Sequence, residues 1–392
     1  MLSRRDVLRL SGALAASAFT LASPWREALA AATAGPGPYG ALEPPDENGI
    51  QLPRGFRSRV VARSRELVAG TDFPWHVFPD GGDTFALRDG GWVYVSNCEF
   101  VVGGGASAIR FDRTGRIVDA YTICAGSGLN CAGGKTPWGT WLSCEEYPAG
   151  TVFECDPLGR VSAAQRLALG TFQHEAAAVD PATGMVYLTE DVGDGRFYRF
   201  LPNARGNLTS GRLQVAEVDP RGDVIWHDVP QPNPPIPGGT PTRLQVPGST
   251  PFDGGEGIVV SLGHVYFTTK GDNRVWDYVP RRERLGVLYD GEASPELPLS
   301  GVDNLAASWR GELLVAEDGG NMELVLITHG RELAPILRVV DQPFSELAGP
   351  AFDPSGRRLY VSSQRGGPEG FGLTYEIRGP FHERRLGPKG RR

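Results

Sequence analysis

One unit recurs along this chain and limits what it can fold into. It opens on an acidic residue and a run of small apolar residues, passes a polar glycine turn, and climbs a strand to an acidic or polar end. Residues 175–191, 256–270, 303–318 and 349–363 carry the whole unit, and residues 90–99 and 139–145 carry its second half alone. Aromatic-rich strand patterns follow, as at residues 195–200 and 273–278. Short strands evenly spaced, with a repeat of roughly 40 to 50 residues, are the signature of a β-propeller, because each unit buries its apolar faces only against its neighbours. With 53 glycines, 32 prolines and no long helical periodicity, a helical or βαβ architecture is excluded. The expected fold is all-β, a six-bladed β-propeller. Residues 56–61 are expected to close the last blade beside residues 371–377, and the proline-rich stretch 230–251 reads as an excursion between blades three and four.

A propeller aims the inner strands of all its blades at one central channel, so residues at equal places in the repeat form a ring at one mouth. The repeat starts are Glu175, Glu256 and Asp303; the strand ends are Glu99, Cys144-Glu145-Glu146, Glu190-Asp191 and Glu317-Asp318. Like charges held this close repel strongly at low effective dielectric, and only cations or protons relieve them. Phasing of acids to the repeat therefore predicts a metal site, since a merely solvated acidic face needs no such phasing. The thiolate of Cys144 favours iron or another borderline metal, and the carboxylates favour calcium, manganese or iron. His174 reads as a ligand, an acid–base or, more commonly, a satisfied structural histidine.

Other chemistry is poorly supported. There is no Gly-x-Ser-x-Gly elbow. Gly134-Lys135-Thr136 resembles the end of a phosphate-cradling loop, but Leu129 stands where its first glycine belongs. Lys135 is still a candidate for meeting an anion as a point charge. Residues 103–105 are a glycine loop without a dinucleotide fingerprint.

Ser3-Arg4-Arg5-Asp6-Val7-Leu8 has the twin-arginine export pattern, followed by an apolar segment too short to span a bilayer and a small-x-small cleavage site at Ala28-Leu29-Ala30. Residues 1–30 are thus expected as a signal peptide and 31–392 as one propeller domain ending in a basic tail. Cleavage moves the formal charge from −7 to about −9. Nothing basic enough for nucleic acid precedes the tail. The expected product is a periplasmic or extracellular monomer without a stable membrane anchor, whose partner during export is the twin-arginine translocon. Of Cys98, Cys124, Cys131, Cys144 and Cys155, Cys124 and Cys131 lie close enough in sequence to bridge a loop.

The segment Asn130-Cys131-Ala132-Gly133-Gly134-Lys135-Thr136-Pro137-Trp138, running on to Cys144-Glu145-Glu146-Tyr147, resembles the signature of the PhoX-type alkaline phosphatases. Residues 172–176, 253–258 and 303–305 match further family segments in the same order, so the resemblance spans essentially the whole mature chain. It implies a twin-arginine-exported propeller holding iron and calcium that hydrolyses phosphate monoesters. Carried over by position, it implies iron on Cys144 and carboxylate ligands at Glu145 or Glu146, Glu175, Glu256 and Glu317 or Asp318. Glu145, Glu146 and Lys135 are the candidate catalytic residues. Two departures stand out. Cys98 precedes Glu99 where many members have His, and Gly254-Gly255-Glu256 replaces an Arg-Pro-Glu whose arginine would clamp phosphate. Lys135 or Arg365 would then supply the clamp. The competing readings are a calcium-dependent lactonase or esterase, and a metal-stabilised binding propeller without catalysis.

Overall fold

A computed structural model describes residues 32–381; the export motif and the basic tail lie outside them. The described residues form six sheets, arranged as the blades of a six-bladed propeller. The six inner strands are Pro79–Ala86, Asn130–Lys135, His174–Val179, Gly255–Ser261, Val302–Ala307 and Leu347–Phe352, which we number as blades 1 to 6. Each inner strand packs on the next, and the sixth packs on the first, closing the circle around one axis.

Closure follows the expected route. Arg57–Arg63 pairs antiparallel with Leu373–Arg378 and completes blade 6 from the N-terminal side. Tyr94 of blade 1 stacks on Tyr360 of blade 6 at 4.9 Å between ring centroids, and Trp92 Nε1 donates to the Tyr360 hydroxyl at 3.1 Å. Such a pair adds about 1 kcal/mol beyond its burial, placed here across the seam of the circle. The proline-rich stretch does run between blades 3 and 4, from Asp228 to Gly255.

The small-apolar runs have a steric cause. Around the axis the inner backbones approach so closely that a Cβ on Gly134 would lie 1.7 Å from the Ala177 carbonyl oxygen, and one on Gly257 would lie 2.5 Å from the Leu305 nitrogen. At these positions only glycine fits. Blades 1 and 2 also have inner strands with this character, through Gly81-Gly82 and Ala132-Gly133-Gly134, although the repeat in sequence shows only their second halves.

All six inner strands share one irregularity. Pairing with the second strand slips between Pro79 and Gly82, Asn130 and Gly133, His174 and Ala177, Gly255 and Ile258, Val302 and Leu305, and Ala348 and Ala351. A bulge leaves a residue outside the ladder and re-aims its side chain. In blades 1 to 5 the residue so placed, second in its strand, is Asp80, Cys131, Glu175, Glu256 and Asp303.

Candidate metal centre

Two tiers of side chains surround one mouth of the channel. The inner tier is that row of bulge residues. The outer tier is the residue just after each second strand: Glu99, Glu146, Asp191, Lys270, Asp318 and Gln364. Blade 6 has Ala348 in the inner tier and contributes Glu346, just ahead of its inner strand.

These residues converge. Ligand atoms of Cys131, Glu146 and Glu175 lie within 4.8 Å of one another, as do those of Glu175, Glu256 and Asp303, of Asp303, Asp318 and Glu346, and of Asp80, Glu99 and Glu346. Shared Glu175, Asp303 and Glu346 join the four groups into one arc. Asp80, Glu175, Glu256 and Asp303 are buried. Burial, then mutual repulsion, raises their carboxyls: Glu175 is held well above the ordinary range by desolvation and by Glu256 and Glu146, and Asp80 by desolvation and by Glu346 and Glu99. Glu146 is pushed up to about 8 by burial and by Asp191. The Cys131 thiol donates to Glu175 Oε1 at 3.3 Å, and burial with Asp80 and Glu175 holds it protonated.

The donors suit metal ions. Glu175 Oε2 is buried with no hydrogen-bond partner, and a buried carboxylate oxygen left so is costly unless a cation takes it. One group combines a thiol with two carboxyls, which suits iron or another borderline metal; the other three offer only oxygen, which suits calcium.

Two basic side chains already touch the arc. Lys270 Nζ lies 2.7 Å from Glu256, 3.3 Å from Asp318 and 3.7 Å from Asp303. Burial acts against its charge, but Asp303 and Glu256 outweigh it and hold the ammonium firmly protonated. Arg365 spans Glu346 at 2.9 Å and Glu99 at 3.3 Å, while Gln364 Nε2 donates to Glu99 at 2.9 Å and to Asp80.

The structure corrects part of the site read from sequence. Glu99, Glu146, Glu175, Glu256, Asp303 and Asp318 lie in the arc. Cys144 does not: it packs among Leu142, Val152, Leu188 and Tyr198, and Cys131 supplies the thiol instead. Glu145, Glu190 and Glu317 end their second strands, one residue before the outer tier. Successive strand residues face opposite ways, so these three turn from the channel and anchor loops. Glu145 accepts from the Thr151 amide at 3.1 Å and hydroxyl at 2.9 Å, Glu190 from the Tyr198 hydroxyl at 2.8 Å, and Glu317 from the Ser300 and Glu323 amides at 2.8 and 2.9 Å.

Lys135 ends its inner strand, about 13 Å along the channel from Cys131 at about 3.3 Å per residue. There it donates to the Thr84 carbonyl and sits 4.8 Å over the Phe85 ring, so it meets nothing at the acidic mouth. His174 is buried, stacks on Phe172 at 3.6 Å, pairs with the Gly170 carbonyl at 3.1 Å, and is held neutral by burial with its pKa lowered to about 3. It is structural. Cys124 does not face Cys131 but hydrogen-bonds with Cys155; all five cysteines are free thiols.

Sequence reasoning missed Asp80, Cys131, Glu346 and Lys270 as site residues. Extending the half-repeats at 90–99 and 139–145 backwards by one strand would have found the first two. The apolar setting of Cys144 carries its own prediction. Cys144→Ser buries a hydroxyl among hydrocarbon and should lower stability by about 1–3 kcal/mol, read by denaturant unfolding, without changing bound metal.

Comparison with known proteins gives a consistent fold. The sequence profile of alkaline phosphatase PhoX matches residues 94–151 and 147–367. No curated protein sequence matches the chain. Among solved structures, Pseudomonas fluorescens PhoX in complex with vanadate, a transition state analogue, superposes with a TM-score of 0.70 at 18% identity, covering 86% of this chain and 97% of that one. XC5397 from Xanthomonas campestris, a gluconolactonase, superposes at 0.52 with 12% identity over 88% of this chain and 98% of that one.

Proposed function

The chain belongs to the alkaline phosphatase PhoX family, and from that premise we propose that it is an exported metal-dependent hydrolase of phosphate monoesters, working at the acidic mouth of its channel. The observation that carries this reading is the arc of four linked donor groups, one with a thiol, around one mouth of the channel. Iron on Cys131, Glu146 and Glu175, with calcium among the all-oxygen carboxylates such as Asp80, Glu99 and Glu346, is the loading those donors favour. Bound there, such ions supply positive charge that polarises phosphate oxygens and stabilises the transferring group.

The chain's own residues orient the ester. Position 254, where a family arginine would stand, has φ +69° and would set a Cβ 3.1 Å from Asp191 Oδ1. That backbone favours glycine, so the clamp comes from elsewhere. Lys135 lies at the wrong end of the channel. Arg365 lies at the right one, half exposed, its guanidinium lodged between Glu99 and Glu346. From there its fork of donors would reach two oxygens of a phosphate bound at the mouth. Gln364 holds Asp80 and Glu99 together beneath it. Of the three candidate catalytic residues, Glu146 alone borders this space. Export by the twin-arginine route, supported by Arg4-Arg5 and its apolar segment, would deliver the chain folded and loaded.

The test is turnover of a chromogenic phosphate monoester by natively purified protein. Metal-dependent phosphate release is expected, with kcat/KM about 10- to 100-fold lower in Arg365→Lys, mostly through KM, because a point charge replaces the fork. Hydrolysis of lactones without phosphate release would replace this reading by the lactonase one, and bound metal with neither activity would leave a binding propeller.

A further inference from the structure

Of the six outer-tier residues four are acids, one is an amide and one is basic. The residue after the second strand is Glu99, Glu146, Asp191 and Asp318 in blades 1, 2, 3 and 5, and the amide Gln364 in blade 6. Blade 4 places Lys270 there. Its amide is tied to the Gly254 carbonyl at 2.8 Å, and its side chain reaches inward. The ammonium stops among oxygens of Glu256, Asp303 and Asp318, at 2.7, 3.7 and 3.3 Å.

Those three carboxylates belong to two adjoining donor groups that share Asp303. Calcium needs carboxylate oxygens at about 2.3–2.6 Å, six to eight in all. An ammonium already 2.7 Å from Glu256 Oε1 excludes a calcium ion from that oxygen. Glu256 Oε1 makes no well-directed hydrogen bond and is met by the ammonium's charge alone, whereas the buried Glu175 Oε2 has neither a hydrogen bond nor an ion pair, so the arc still has an oxygen aimed at a cation on the Cys131 side. The Lys270 side chain is 36% exposed.

Building on the metal-bearing reading of the mouth, we propose that the Lys270 ammonium is a resident cation of the arc, standing where calcium would otherwise sit between Glu256, Asp303 and Asp318. Ions are then confined to the Cys131–Glu146–Glu175 side and the Asp80–Glu99–Glu346 side. Between them lies a tethered charge that chelators cannot remove. It presents N–H donors, rather than an open coordination position, to an incoming anion.

The test counts calcium. Wild-type protein, Lys270→Met and Lys270→Gln are stripped with chelator, titrated with calcium chloride, desalted and assayed by elemental analysis. Both variants should hold one more calcium per chain than wild type. Calcium should also raise their melting temperatures more than it raises that of wild type. If Lys270→Met folds only when calcium is supplied, that dependence is the same result, and Lys270→Gln, which puts the blade 6 amide in blade 4, gives the count. Wild type that binds metal, with variants that bind no more, overturns the role of Lys270 and leaves the metal site standing. Wild type that binds none overturns both.

Discussion

Glu175→Gln should abolish turnover while making the metal-free protein more stable. Glu175 joins the thiol-bearing group to the next one, is fully buried, and has an oxygen without a partner. Loss of its charge removes a carboxylate ligand from the thiol-bearing group. Losing several kcal/mol of charge stabilisation in the transition state corresponds to a fall in kcat of about a thousandfold or more. Without metal the balance reverses. The carboxyl is then either charged against Glu256 and Glu146 or protonated against the bulk pH, and an amide of the same shape escapes both. The chelated variant should gain about 1–3 kcal/mol at pH 8, a rise of a few degrees in melting temperature for a protein of this size. Thermal melts with and without chelator, beside monoester assays, check both halves. A chelated variant that melts below wild type would show that Glu175 is a structural residue.

The metal-free protein should also lose stability as pH rises, contrary to the usual behaviour of proteins rich in salt-bridged acids. In the unfolded chain the ring acids ionise near their ordinary values, 3.8 for Asp and 4.5 for Glu. In the folded protein burial, then neighbouring charge, raises them: Asp303 to about 6 after Lys270 pulls part of the rise back, and Glu146 to about 8. Between the two values the folded state binds the extra protons, so stability falls as pH climbs through that window. The contribution is whole below about pH 4 and is lost by about pH 8. One pKa unit corresponds to about 1.4 kcal/mol, so the decline should reach several kcal/mol between pH 5 and pH 8. Bound metal removes it by replacing the protons, and metal affinity should rise over the same range. Urea unfolding of chelated and loaded protein across this range separates the cases. A chelated protein whose stability is flat or rising from pH 5 to 8 would contradict the charge arrangement.

The fold was legible because sterics at the axis write themselves into the repeat. Gly134 and Gly257 have no room for a Cβ, and acid–small–turn–strand spacing follows from that crowding. The site was legible only where the repeat was. Glu175, Glu256 and Asp303 open full copies and lie in the arc. Asp80 and Cys131 open copies whose small-apolar runs are broken into Asp80-Gly81-Gly82-Asp83 and Cys131-Ala132-Gly133-Gly134, and so were missed. At the strand ends the doublets Glu145-Glu146, Glu190-Asp191 and Glu317-Asp318 hide which acid faces inward. A strand alternates, so a one-residue error inverts the assignment, and Cys144, one residue further back, packs in the core. The bulge that aims the second residue of the inner strand in blades 1 to 5 has no mark in composition or periodicity. Lys135 was drawn to the site by a loop motif, although chain direction puts it at the far end of its strand.

The most direct test of the account is metal content in natively purified wild type, Cys131→Ser and Cys144→Ser, by elemental analysis per chain. The account predicts iron or another thiolate-binding metal together with calcium in wild type. Cys131→Ser should lose the thiolate-bound metal, and Cys144→Ser should retain it despite a weakened core. Full metal content in Cys131→Ser, or its loss only in Cys144→Ser, would contradict the account.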